Sequence, residues 1–197
     1  GRIIEEPIPG GIVSPKGKLI YIIALVIGIG IPISIIYLLN LLRFRIEGHT
    51  DVEKLTTVPI IGDIPLTDAG KNGTPTIAVR ENDNNIMAET FRSLRTNLLF
   101  IMGDPDKKVI LVTSTISGEG KTFMASNLAV SLALLGKKVI LVGLDIRKPG
   151  LNKIFHLSHK EKGITQYLAA PQSTDLHALI QPSGITSNLD LLLGGPI

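Results

Sequence analysis

The chain has 197 residues, enough for one domain or for parts of two. Its formal net charge is only +3, whereas a nucleic-acid-binding protein needs a concentrated basic face, so no nucleic-acid partner is expected. Aromatic residues make up 4% of the chain and cysteine is missing, which excludes disulfides and cysteine-based metal sites in this sequence. The apolar content is therefore aliphatic, as in buried parallel strands and membrane-spanning helices.

The two ends of the sequence suggest a piece of a longer protein. Residue 1 is Gly rather than Met, and residues 191–197 stop within what is predicted to be a strand and a turn. We therefore expect a fragment.

The first part of the chain predicts a membrane anchor. Residues 1–17 are rich in Pro and Gly and should be extended. Residues 19–42 carry no charge, and at 1.5 Å per residue this run is about 36 Å long, more than the roughly 30 Å of a bilayer core. We predict one transmembrane helix over residues 18–43, because buried helices of soluble proteins, the alternative, seldom run so long without charge. The flanking positive charges balance, so they do not set its orientation.

A linker and an amphipathic helix are predicted next. Residues 44–84 read as a mixed linker, in which residues 58–66 are a candidate strand. Residues 85–103 have helical periodicity. One predicted face is apolar, with Met87, Phe91, Leu94 and Leu98. The opposite face is polar, with Glu89, Arg92 and Arg95.

The rest of the chain predicts an α/β fold with a parallel sheet. Residues 109–113 and 139–143 are short, apolar and β-branched, as expected for strands that are buried on both faces. A helix over residues 121–135, ended by Gly136, joins them into a β-α-β unit. Further short elements follow: helices over 151–155, 164–169 and 175–180, and a strand over 189–193.

A glycine-rich phosphate loop connects the first predicted strand to its helix. Its candidate nucleotide-binding residues are Ser117, Gly118, Glu119, Gly120, Lys121 and Thr122. Glycines let backbone N–H groups surround an anion at the positive end of a helix. Lys121 would reach the β- and γ-phosphates of ATP, and the Thr122 hydroxyl would bind Mg²⁺. Thr115 stands where the P-loop pattern has its first Gly, and a simple glycine-rich turn is the alternative.

A carboxylate is predicted beside that loop. Asp145 follows the second strand, and parallel strands end at the same edge of a sheet. A carboxylate there can hold Mg²⁺ or accept a proton from an attacking hydroxyl. The alternative is a solvated Asp paired with Arg147 or Lys148.

Three motifs together resemble the bacterial tyrosine kinases that accompany polysaccharide export: SGEGKT, the strand ending in D-x-R, and the E-x-x-R-x-x-R helix. The resemblance implies a P-loop kinase domain over residues 85–197, with Lys121 and Asp145 catalytic and with ATP and Mg²⁺ bound. It also implies that residues 1–17 end an extracytoplasmic chain-length-determinant domain. Residues 44–84 would then be a cytoplasmic linker below the bacterial inner membrane.

The resemblance also implies partners. Glu89, Arg92 and Arg95 would join subunits of a ring-like homo-oligomer that phosphorylates itself in trans. The polysaccharide polymerisation and export machinery and a cognate tyrosine phosphatase would be the other partners.

Two departures from the family pattern keep other functions open. Gly143 replaces the first Asp of the family's D-x-D-x-R, and this chain contains neither the later Walker B strand nor a tyrosine cluster. Besides a tyrosine kinase, the sequence therefore allows a switch ATPase of the partitioning type. It also allows a non-catalytic membrane scaffold that sets polysaccharide chain length.

Overall fold

The computed structural model describes residues 10, 17–42, 46, 48–66, 76–104, 106–158 and 161–195. Contacts divide the chain into two units, Gly1–Pro59 and Ile60–Ile197. The phosphate loop belongs to the second unit. That unit includes residues 60–66 and 76–84, which the sequence assigned to the linker.

The first unit contains two helices. Helix α1, Gly17–Leu42, is long enough and apolar enough to cross a membrane, and its side chains are exposed throughout. It agrees with the predicted span, and Pro32 lies inside it. A short helix α2, His49–Leu55, follows, which the sequence had not predicted within the linker. Most of the Pro- and Gly-rich region 1–17 lies outside the described residues.

The second unit is built on a mixed three-stranded sheet. Its strands are β1 (Val139–Val142), β2 (Ile180–Pro182) and β3 (Leu189–Leu192). Their order is β1-β3-β2. Strand β3 pairs parallel with β1, with Val139 opposite Leu189, and antiparallel with β2.

The helices of this unit are α3 (Ile86–Met102), α4 (Lys121–Leu134), α5 (Leu151–Ile154) and α6 (Ile164–Ala169), with a 3₁₀ turn at His177–Leu179. Local sequence explains the ends of α3. The Asn85 side chain accepts a hydrogen bond from the Ala88 N–H, and Gly103 ends the helix with φ +59°. Gly136, with φ +83°, follows α4.

The core lies between α3, α4 and the sheet. Phe91 of α3 is fully buried and meets the Phe123 ring edge-on, with centroids 5.9 Å apart. Leu189, Leu191 and Leu193 are also fully buried in this core. The α4 helix therefore packs against both α3 and the sheet, which fixes the loop that precedes it.

Three predicted elements differ in the structure. Within the described residues, 109–113 pair with no strand, and Val109 and Leu111 are 93% and 81% exposed. The expectation of a strand buried on both faces is therefore wrong there. Residues 58–66 are irregular, and Asn97 of α3 holds them by donating to the Ile61 carbonyl (2.9 Å). The helix expected over 175–180 is the 3₁₀ turn, followed directly by β2.

Candidate nucleotide-binding site

The phosphate loop lies directly before α4, as the sequence predicted. Gly118 and Gly120 have φ of +98° and +88°, a backbone region that side chains other than Gly rarely adopt. Helix α4 then begins at Lys121, so its positive end faces the loop. Alternating backbone conformations of this kind point N–H groups into one concavity, which suits an anion.

A carboxylate within the loop holds part of its backbone. Glu119 Oε2 accepts hydrogen bonds from the N–H groups of Thr115 (2.9 Å) and Ile116 (3.2 Å). The Ser114 hydroxyl donates to the Ile116 carbonyl (3.0 Å). The loop is thus closed by its own side chains, and Ser117 is exposed on it.

Lys121 and Asp145 come together at the edge of the sheet. The Lys121 ammonium lies 3.9 Å from Asp145 Oδ2. The other oxygen, Oδ1, accepts a hydrogen bond from the Lys148 N–H (3.0 Å), which holds the carboxylate in a turn after β1. Asp145 therefore has one oxygen fixed by the backbone and one that faces the lysine.

A cavity of about 470 Å³ lies between residues 108–112, the start of α4 and the carboxyl end of β1. Lys121, Thr122 and Asp145 all line it. Gly150 lies against Thr122: a Cβ atom on Gly150 would be 3.1 Å from Thr122 Oγ1. The segment that follows Asp145 is therefore docked onto the start of α4.

The cavity and the loop that ends beside it at Lys121 together carry donors that fit a magnesium nucleotide. The loop N–H groups and Lys121 suit phosphate oxygens, while the Thr122 hydroxyl and the Asp145 carboxylate are oxygen ligands of the kind that Mg²⁺ prefers. Lys121, Thr122 and Asp145 line the cavity, and the glycines of the loop directly precede Lys121.

The E-x-x-R-x-x-R residues are less uniform than predicted. Glu89 is exposed and pairs with Arg92, which also donates to the Asp83 carbonyl. Arg95, in contrast, turns towards α4 and donates to the Ser131 carbonyl (2.7 Å). The expectation that all three lie opposite the apolar stripe is wrong for Arg95.

Sequence reasoning missed Asn127, the best-connected polar residue behind the loop. It is fully buried, and its Oδ1 accepts from the N–H groups of Ala78 (2.7 Å) and Val79 (3.1 Å). Its Nδ2 donates to the carbonyls of Thr76 and Phe123. A polar amide in a helix whose sequence is mostly apolar or small was the available signal.

Comparisons with known proteins show which family and fold this chain resembles. A family model named ParA and described as "NUBPL iron-transfer P-loop NTPase" matches residues 106–184. The tyrosine-protein kinase YwqD of Bacillus subtilis is 38% identical over 113 residues, covering 57% of this chain and 46% of YwqD. A Klebsiella pneumoniae protein assigned as a tyrosine-protein kinase in the cps region is 27% identical, covering 83% of this chain and 24% of its own length.

A solved structure shows the same fold. The kinase domain of the Escherichia coli tyrosine kinase ETK superposes with a TM-score of 0.64 at 26% identity, covering 78% of this chain and 62% of that domain. The chain spans about a quarter of the length of most of the curated relatives that it matches.

The fold, the phosphate loop and the match to the family model together define a P-loop NTPase of the ParA type. An apolar helix that is a candidate membrane span precedes it in the sequence. Within that class, the chain belongs with the bacterial tyrosine kinases (BY-kinases), and the resemblance inferred from its motifs is confirmed.

Proposed function

We propose that this chain is part of an ATP-dependent protein-tyrosine kinase that phosphorylates its own copies in trans. The observation that carries the proposal is the meeting of Lys121 and Asp145, 3.9 Å apart, at a cavity that Thr122 also lines. The names of its relatives favour tyrosine as the acceptor.

The residues have distinct roles in this proposal. Lys121 and the loop N–H groups bind and orient the β- and γ-phosphates, and Thr122 and Asp145 hold the metal. Bound Mg²⁺ supplies neutralisation of the phosphate charge. The Asp145 oxygen that faces Lys121, Oδ2, would also accept a proton from a tyrosine hydroxyl.

The cellular setting is part of the proposal. Helix α1 spans the bacterial inner membrane, and the phosphate loop lies on the cytoplasmic side because ATP is there. The cps-region relative and the family resemblance favour coupling to capsular or exopolysaccharide synthesis and export, with the polymerisation machinery and a tyrosine phosphatase as partners. A ring-like homo-oligomer formed through the α3 surface around Glu89 and Arg92 supplies the acceptor subunit.

The test uses the purified full-length protein of which this chain is part, in detergent, with ATP and a tyrosine-containing polymer as acceptor. Wild type should bind ATP and form phosphotyrosine, whereas Lys121→Ala should lose most of both activities. Equal ATP affinity in the two proteins would refute the phosphate-site assignment.

A second function is favoured by one observation, the ParA-type match over residues 106–184. It is a switch ATPase, which would release inorganic phosphate without labelling tyrosine. A non-catalytic scaffold would bind ATP but would form neither inorganic phosphate nor phosphotyrosine. The same assay, with released inorganic phosphate also measured, therefore separates all three functions.

A further inference from the structure

Glu119 lies in the middle of the phosphate loop, but its side chain turns back to the loop's own backbone. Its Oε2 atom accepts from the N–H groups of Thr115 (2.9 Å) and Ile116 (3.2 Å). These bonds join the limb that enters the loop to the limb that leads into α4. Hydrogen bonds to an ionised carboxylate are stronger than those between neutral groups, so this link can hold an exposed loop.

One end of this link is the residue at which the loop departs from the usual pattern. P-loops have Gly six residues before the Lys, and here that position is Thr115. A residue with a β-branched side chain has fewer backbone conformations than Gly. A contact that fixes the Thr115 N–H from the far limb can replace part of what the glycine provides.

We propose that Glu119 is a positioning residue that braces the phosphate loop in its binding conformation. This inference rests on the proposed nucleotide site. The brace keeps the positive-φ glycines, Gly118 and Gly120, in the conformation that points N–H groups at a phosphate. Glu119 itself does not contact the nucleotide in this role.

The alternative role for a carboxylate in this loop is to oppose nucleotide binding, by repelling the phosphates or by occupying their place. The geometry favours the brace. The N–H groups that Glu119 binds belong to Thr115 and Ile116, which precede the positive-φ residues Gly118 and Gly120 in the loop. The carboxylate therefore need not leave when a phosphate enters.

Two substitutions of Glu119 in the full-length protein should affect ATP affinity differently. Glu119→Ala removes the brace and should weaken ATP binding about five- to ten-fold, because each lost charge-assisted bond loosens the loop. Glu119→Gln keeps an oxygen that accepts from both N–H groups and removes the charge, so its ATP affinity should stay within about two-fold of wild type or improve. Glu161→Ala, at an exposed glutamate outside the loop, is the control.

A second measurement reads the brace directly. Amide hydrogen exchange of Thr115 and Ile116, measured without nucleotide, should speed up in Glu119→Ala and stay near wild type in Glu119→Gln. The midpoint of thermal unfolding should be the same in all three proteins, since these bonds lie in an exposed loop.

The outcomes separate this inference from the proposed function. Unchanged or higher ATP affinity in Glu119→Ala, or equal losses in the Ala and Gln variants, would overturn the brace while leaving the nucleotide site in place. A wild type that binds no ATP would overturn both.

Discussion

The ammonium of Lys121 lies 3.9 Å from the carboxylate of Asp145, so the two charges of the candidate site already face each other. Their side chains are 34% and 46% exposed, and an ion pair so open to water contributes at most about 1 kcal/mol to stability. The pair is therefore better placed to serve binding than folding.

We expect Asp145→Asn to keep the fold and to lose magnesium-dependent binding. The Asn oxygen can still accept from the Lys148 N–H, but the charge that would hold the metal is gone. ATP affinity in the presence of Mg²⁺ should fall roughly ten-fold, while affinity in EDTA should hold or rise. Calorimetric titration under both conditions measures the difference.

The matched control is Asp175→Asn. Asp175 makes a similar turn contact, accepting from the His177 N–H at 2.9 Å, but it does not line the candidate cavity. Its substitution should leave both affinities unchanged. An equal loss for Asp145→Asn with and without Mg²⁺ would contradict the metal role.

Asn127→Ala should cost about 2–4 kcal/mol of unfolding free energy. The change leaves the N–H groups of Ala78 and Val79 without their acceptor in a buried place, and each such group costs about 1–3 kcal/mol. Urea unfolding measures the loss. Asn97→Ala removes one exposed bond, to the Ile61 carbonyl, and should cost less than about 1 kcal/mol. Similar losses in the two variants would disprove the difference in burial.

The proposed subunit contact is best tested by changing Glu89 alone, because Arg95 of the same motif also bonds within the subunit. Glu89→Ala should shift a ring-like oligomer towards monomer in analytical ultracentrifugation and leave the unfolding midpoint unchanged, because Glu89 is exposed. Arg95→Ala should lower stability by about 1 kcal/mol, since Arg95 ties α3 to the Ser131 carbonyl of α4. An oligomer that survives Glu89→Ala would argue against the contact.

His156→Gly should stabilise the second unit by about 1 kcal/mol. His156 follows α5 with φ +54°, a conformation that costs most side chains about 1–2 kcal/mol and Gly almost nothing. The Leu157 N–H bonds to the Asn152 carbonyl (2.8 Å) across this turn, so the conformation is fixed. Asn82→Gly, at φ +59°, should gain less because Asn tolerates this region. Thermal unfolding of both variants tests the comparison.

The elements that depend on contiguous sequence, namely α3, the phosphate loop and α1, were predicted correctly. The apolar stripe of α3 predicted that helix within one residue at each end, and Asn85 and Gly103 are the caps that the structure shows there. The phosphate loop was predictable because its glycines and the helix after it are contiguous in sequence. The long uncharged apolar run was also sufficient to place α1.

Contacts between distant segments were not predictable in this way. Residues 109–113 have strand propensity, but a strand needs a partner, and no described residue pairs with them. Asn127 accepts hydrogen bonds from Val79 and Ala78, which precede it by 48 and 49 positions in the sequence. No local pattern encodes such a contact. Arg95 is a partial exception: it is four residues after Phe91, so helical spacing places it beside the apolar stripe, but only the structure shows that it meets the Ser131 carbonyl of α4.

Gly143, which stands where related kinases have an acid, has its own packing constraint. A Cβ atom there would lie 2.9 Å from Leu151 Cδ1 and 3.4 Å from the Gly194 nitrogen. Leu151 is only 7% exposed, so its side chain has little room to rotate away. We expect Gly143→Asp to lower stability by about 1–3 kcal/mol through overpacking and to leave phosphotyrosine formation no higher than in wild type.

A double-mutant cycle with Leu151→Ala tests the cause. Leu151→Ala alone should cost about 2–5 kcal/mol, because it opens a cavity in the core. In that background, Gly143→Asp should cost at least about 1 kcal/mol less than in wild type, since the methyl group it meets is gone. Strict additivity of the two urea-unfolding free energies would show that Leu151 is not the obstacle.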